Sequence, residues 1–183
     1  MKRIYLIIIT AFLFSGCGVQ DIKDHFYEDD AKNKLSKLCK REVNSNLVVC
    51  NNNNTPEPSR DLTIEEFREI AYSYLDGNHY KYKADEKNND IYSYMRPDPD
   101  GIMRGDCEDF VIMIIQKMVM DGSIKKDSVK WIYGKAIGDY HAWSIITIEG
   151  KEYVFDTVSW FGMPLQEAYE KGDYREIATL FKY

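Results

Sequence analysis

This chain has little cysteine, no surplus of positive charge, no visible internal repeat and only one long apolar run. Each shortage narrows its class. Four cysteines in 183 residues are too few for a disulfide-built scaffold. A net charge of −6 excludes a basic nucleic-acid groove as the main feature, so no nucleic-acid partner is expected. The one run apolar enough to meet a membrane lies at the very N-terminus. What is present is ordinary globular material, with 44% hydrophobic and 30% charged residues, neither a disordered nor a fibrous composition. The length suits one domain with its own core, since ~100–150 residues is the common domain size.

Met1-Lys2-Arg3 is followed by Ile4 to Phe14 with almost no polar residue, then by Ser15-Gly16-Cys17. Two cations, a short apolar stretch and small residues form the pattern of a secretory signal over residues 1–16. The run falls short of the ~20 residues a spanning helix needs. Phe14-Ser15-Gly16-Cys17 also resembles a bacterial lipobox, where cleavage precedes a lipid-modified cysteine. The other reading is an ordinary cleaved signal with a chance cysteine. Lipid on Cys17 implies a chain tethered to a membrane in the bacterial periplasm or cell envelope, an oxidising compartment. Loss of residues 1–16 removes Lys2 and Arg3 and deepens the net charge from −6 to −8. Such a surface suits divalent cations or basic partners better than anionic lipid.

Residues 17–60 read as a lipidated N-terminus and tether with one short ordered piece, a weak helical pattern over Asp24 to Arg41. Asn51-Asn52-Asn53-Asn54-Thr55-Pro56-Glu57-Pro58 is a linker signature. Cys39 and Cys50, eleven residues apart, either close a small disulfide loop or remain two thiols. The folded domain is expected over residues 61–183. Thr63-Ile64-Glu65-Glu66 is a capping box that opens a helix with apolar residues at Ile64, Phe67, Ile70, Ala71 and Tyr74, and Asp76-Gly77 stops it. Residues 78–105 are polar and irregular, long for a structureless loop and so suggestive of binding. Cys107 to Met120 is apolar nearly all round, the mark of a central buried helix. Strands are expected at Val129 to Ala136, His141 to Ile148 and Lys151 to Asp156, the last two joined by the Glu149-Gly150 turn. Pro164 to Lys171 reads as a short helix, and Tyr174 to Phe181 as a last short element. The order predicts an α+β fold with the cysteine-bearing helix packed on an antiparallel sheet.

Three chemically useful residues fall in suggestive places. Cys107 opens the buried helix, 34 residues before His141, which lies 15 before Asp156. The thiolate is the reactive form of cysteine, and a neighbouring imidazolium and a helix N-terminus both favour it. A carboxylate on the far ring nitrogen sets the tautomer and orientation of the imidazole. Pairing about Glu149-Gly150 brings His141 and Asp156 near each other. Each residue also has a plain structural reading: an inert core thiol, a hydrogen-bonded histidine, an aspartate capping a turn. Together those readings explain the placement poorly.

Gly105-Asp106-Cys107-Glu108-Asp109-Phe110, Tyr140-His141-Ala142-Trp143 and Tyr153-Val154-Phe155-Asp156 resemble the bacterial transglutaminase-like cysteine peptidases, most of all the LapG-type periplasmic proteases that clip surface adhesins and so release biofilm cells. The resemblance covers roughly residues 61–165. It implies a papain-like α+β core, with Cys107 as nucleophile, His141 as general base and then acid, and Asp156 as orienter. It also implies Ca²⁺ on Asp106 and Glu108, with Asp109 nearby. Calcium takes six to eight oxygen ligands, and Asn88, Asn89, Asp90, Asp98 and Asp100 are candidates for the remainder. The same acidic residues also suit a helix cap and its dipole. Trp143 and Trp160 are candidates to wall the cleft, or core.

The expected activity is hydrolysis of a protein or peptide through a thioester. Three other readings stand beside it. One is a cell-wall peptidase of the NlpC/P60 type, which usually shows Asp-Cys-Ser-Gly where this chain has Asp-Cys-Glu-Asp. Another is a transglutaminase, which must exclude water from the thioester. The last is a non-catalytic lipoprotein that binds a partner or senses calcium.

Overall fold

A computed structural model describes residues 16–42, 46–50, 55, 56, 58, 60–75, 79–85, 91–136, 138–156, 162–172 and 174–182, with side chains from Lys23 to Phe181. The secretory signal expected over residues 1–16 lies outside the described residues except for Gly16, and only the backbone of Cys17 is described. The linker asparagines 51–54, the Asp76-Gly77 stop, Asn88, Asn89, Asp90 and Trp160 also lie outside. Among the described residues no helix is long and apolar enough to cross a membrane.

The chain is α+β, built on a five-stranded antiparallel sheet. Its strands are β3 (Val129–Ala136), β4 (Asp139–Ile148), β5 (Lys151–Phe155), β6 (Met163–Pro164) and β7 (Arg175–Lys182), in the spatial order β6-β5-β4-β3-β7. Glu149 and Gly150 both take positive φ, 50° and 74°, which closes the β4–β5 hairpin in a tight turn that follows the sheet twist. The register runs from Ile148 opposite Lys151 to Ser144 opposite Phe155.

Strand alternation separates two apolar faces. Val129, Trp131, Ala142, Ile146, Tyr153 and Phe155 pack with the central helix α3 (Cys107–Met120). Ile132, Trp143, Ile145 and Val154 face the other way, onto Ala168 of α4 (Leu165–Gly172) and onto Tyr174. As its all-round apolar sequence predicts, α3 is buried along nearly its whole length. Phe110 joins it to the sheet, stacked on Phe155 at 5.8 Å and near-parallel at 9°.

The capping box forms in both directions at the start of α2 (Ile64–Leu75): Thr63 N–H donates to Glu66 Oε2 at 3.0 Å, and Glu66 N–H to Thr63 Oγ1 at 3.3 Å.

Three regions differ from the sequence expectation. Residues 17–60 do not run as a tether with one short ordered piece. A 26-residue helix α1 (Gly16–Arg41) places Ala31 and Leu38 in the main core, and Leu47, Val48 and Val49 join them. Cys39 and Cys50 are bridged, with Cα atoms 5.5 Å apart, and Val48 N–H donates to buried Gln116 Oε1 at 2.6 Å. The irregular 78–105 stretch holds two short parallel strands, β1 (Tyr80–Tyr82) and β2 (Met103–Gly105). Finally, the last short element is a full edge strand: β7 pairs antiparallel with β3 through two register shifts. Those irregularities break the period-two pattern that identifies a strand in sequence.

Candidate active site

The cysteine is delivered by the junction of β2 and α3. Gly105 ends β2 where no side chain fits: a Cβ there would lie 2.7 Å from both Asp109 Cβ and Met95 Sδ. Its carbonyl accepts from Lys83 N–H at 2.9 Å and from Tyr80 O–H at 3.2 Å. Asp106 then takes the N-cap position in extended conformation (φ −97°, ψ −158°), without a capping bond from its side chain. Cys107 is therefore the first helical residue, at the end of α3 where backbone amides have no partner within the helix.

The histidine and its carboxylate come from the hairpin. His141 lies near the start of β4, opposite Gly134 of β3, and Asp156 immediately follows β5. The position facing Asp156 in the β4–β5 register is Trp143, so His141 is two residues further along the same face. The imidazole reaches across that offset, with Nε2 2.8 Å from Asp156 Oδ1. Asp156 is only 1% exposed. Its other oxygen, Oδ2, accepts from the Tyr174 hydroxyl. Trp143 is fully buried and does not wall a cleft; its ring stacks behind His141 at 6.3 Å.

The two halves meet through the backbone. Ala142, the residue after His141, directs its N–H at the Cys107 sulfur. The thiol itself donates to Glu108 Oε2 at 2.9 Å. Burial pushes the Cys107 thiol well above its ordinary pKa; the charge and acceptor of Glu108 push the same way, as does Asp106, while the Ala142 N–H opposes them. The lowering expected from the helix start and the histidine is not met in this arrangement: the Ala142 N–H favours the thiolate, but burial and the two flanking carboxylates outweigh it.

The acidic residues divide their roles. Asp106 and Glu108 flank the thiol and are 8% and 7% exposed. Asp109 instead takes the Ser93 N–H on Oδ1 at 2.6 Å, which pins the preceding segment to α3. Asp98 and Asp100 engage Arg104, at 2.7 and 2.6 Å. Among the described residues no group of three or more His, Cys, Asp or Glu side chains is placed to hold a metal ion. Asp106 and Glu108 are hard oxygen donors side by side at a helix start, so their chemistry fits two positions of a Ca²⁺ shell but does not complete one.

Sequence reasoning missed Tyr174, because its partner lies 18 residues away and depends on the pairing of β7. It also missed Tyr82 of β1, 61% exposed and close enough to Cys107 that, after burial, the thiolate charge raises its pKa. Tyrosine is abundant here, 14 of 183 residues, so no local signal singles out either one.

The fold thus places a cysteine at a buried helix start with its sulfur at the Ala142 backbone, while the paired His141 and Asp156 stand on the Trp143 face of the sheet. No protein-family model matches the chain, and no curated protein does. Among solved structures it is similar to Legionella pneumophila LapG in calcium-bound form, at 18% identity and a TM-score of 0.49, covering 64% of this chain and 65% of that one. It is also similar to LapG of the same organism at 21% identity and a TM-score of 0.47, covering 64% and 65% of the two chains. For the EGTA-treated form the values are 21%, 0.46, 62% and 61%. The matched part of this chain corresponds to about 65% of the length of those structures.

Proposed function

We propose that this chain is a transglutaminase-like cysteine peptidase of the bacterial cell envelope, held at a membrane by lipid on Cys17, that hydrolyses a protein substrate such as a surface adhesin. One juxtaposition carries the reading. The N–H of Ala142 faces the Cys107 sulfur, and the preceding residue, His141, is held by buried Asp156 at 2.8 Å. The adhesin and the lipid anchor rest on the motifs of the sequence.

With Nε2 committed to Asp156, Nδ1 is the imidazole nitrogen left to serve the thiol in the proposed reaction. His141 takes the proton from Cys107, and the sulfur attacks the scissile carbonyl carbon. The Cys107 backbone amide stabilises the oxyanion. The C–N bond breaks as the imidazolium protonates the leaving amine, leaving a thioester. His141 then takes a proton from water, hydroxide displaces the sulfur, and the acid product leaves. Asp156 keeps the ring oriented and offsets the charge of the imidazolium.

Asp106 and Glu108 would hold Ca²⁺, with Asp109 beside them. When bound, the cation supplies positive charge next to a sulfur that two carboxylates otherwise disfavour as thiolate.

Iodoacetamide alkylation of Cys107 in the full chain tests the reading, followed against pH with calcium and with chelator, beside His141→Ala. The expected profile with calcium rises below the free-thiol value of ~8.5 and is lost in His141→Ala. A Cys107 inert under every condition would overturn catalysis and leave the partner-binding lipoprotein. Release of peptides from muropeptides would point to the cell-wall peptidase, and incorporation of amine to the transglutaminase.

A further inference from the structure

We infer that Tyr174 is a positioning residue of this site, its hydroxyl holding one oxygen of Asp156 so that the other stays aimed at His141. The inference rests on the proposed roles of Cys107, His141 and Asp156 and names the group that keeps the orienter in place.

Asp156 is buried, and a buried carboxylate needs hydrogen bonds on its oxygens to remain ionised. Two are in place from different strands' ends. His141 Nε2 meets Oδ1 at 2.8 Å, and the Tyr174 O–H donates to Oδ2. A carboxylate gripped at one oxygen can turn about its last side-chain bond; gripped at both, it cannot. Asp156 then always presents an acceptor to Nε2. Nε2 keeps its proton, and Nδ1 keeps the lone pair that the thiol needs.

Tyr174 is itself locked in place. It is 7% exposed, with Trp143 edge-on at 4.9 Å and Tyr169 stacked at 5.9 Å. It immediately precedes β7, which reaches the His141 level of the sheet through β3: Gly134 faces His141 on one side and Glu176 on the other. Gly134 permits that closeness. A Cβ there would lie 2.3 Å from the Arg175 carbonyl oxygen and 2.6 Å from the Trp143 ring. Burial and the charge of Asp156 keep the phenol protonated far above its ordinary range, so it remains a donor at any working pH.

Tyr174→Phe keeps the ring and its packing and removes only the donor. Iodoacetamide alkylation, read at the Cys107 peptide of the full chain by mass spectrometry, should fall about tenfold, the scale of one hydrogen bond to a charged group. Tyr169→Phe, in the same aromatic stack but bonded to Glu176, should leave the rate unchanged. In an Asp156→Asn background the Tyr174→Phe effect should vanish, because it acts through that carboxylate. A folded Tyr174→Phe with unaltered rate, or an undiminished fall in the Asp156→Asn background, would overturn the inference. If His141→Ala also leaves the rate unaltered, the peptidase reading falls with it; if His141→Ala abolishes reactivity, the inference alone fails. Should Tyr174→Phe not fold, NMR of the tyrosine-labelled unmodified protein decides. A slowly exchanging Tyr174 hydroxyl proton supports the bond, and its absence removes the basis of the inference.

Discussion

Asp156 and Glu108 are both buried carboxylates one hydrogen bond from a side chain of the proposed triad, yet they act in opposite senses. Asp156 accepts from Nε2 of His141, the nitrogen that the proposed reaction does not use, and so favours the ring as a base and as a cation. Glu108 accepts the proton of the nucleophile itself, and so keeps sulfur as thiol. The histidine end is held ready for the proposed reaction by the bond to Asp156 and the Tyr174 hydroxyl behind it. The cysteine end disfavours the thiolate, and added positive charge there would oppose that. A site divided in this way is preorganised at one end and conditional at the other, and calcium on Asp106 and Glu108 would supply the condition.

The largest effect tests the preorganised end. Asp156→Asn keeps the shape but lets the amide offer the wrong hydrogen to Nε2, and should lower hydrolysis of a polypeptide substrate by about 10²–10⁴-fold, the usual contribution of a correctly held base. Circular dichroism should remain native, and an unchanged rate would end the claim that this carboxylate orients His141. Next in size is the joint between the two ends. Phe110, fully buried between Tyr80 and Phe155, ties α3 to β5, the strand that Asp156 follows. Phe110→Ala should cost about 3–5 kcal/mol in denaturant unfolding. A loss below about 1 kcal/mol would mean that the two ends are held together elsewhere.

The conditional end predicts a gain rather than a loss. Glu108→Gln removes a charge beside the sulfur, so alkylation of Cys107 in chelator should rise about tenfold, equivalent to about one pKa unit. The stimulation by calcium should shrink in the same variant. A lower rate in chelator would make Glu108 a helper of the thiolate and abolish the contrast with Asp156.

The contrast also explains what could be read from residues alone. The central helix, the hairpin turn and the proximity of His141 to Asp156 follow from local rules: an all-apolar helix, a Glu149-Gly150 turn, strand register. The role of α1 is not legible in the same way, because its core contacts come from a narrow stripe, Ala31, Leu35 and Leu38, on an otherwise charged helix. Tyr174 and β7 depend on pairing with β3 across about 40 residues of chain and through two register shifts, which no window of sequence contains. The electrostatics of Cys107 escape the sequence for a related reason. The sequence displays the acidic neighbours, but only the fold shows that they and the thiol are buried together, where like charge is poorly screened.

The smallest effect supplies a reference carboxylate. Asp100 is exposed and bonded to the Arg104 guanidinium at 2.6 Å, with further help from the Ile102 N–H. Those bonds lower its pKa from 3.8 to about 2. Since the folded value lies below the unfolded one, the pair's stabilising effect is present above the unfolded value and fades as pH falls through the folded one. Arg104→Gln should return the Asp100 titration, followed by carboxyl NMR, toward 3.8, with little change in the unfolding midpoint at neutral pH because the pair is at the surface. Asp100 shows what a single adjacent cation does to a carboxylate in this chain. If its titration stays near 2 without Arg104, backbone donors alone suffice to hold a carboxylate ionised here. The hydrogen bonds to Asp156 would then need no cation to match them, and the asymmetry with Glu108 would come from burial next to a thiol rather than from absent positive charge.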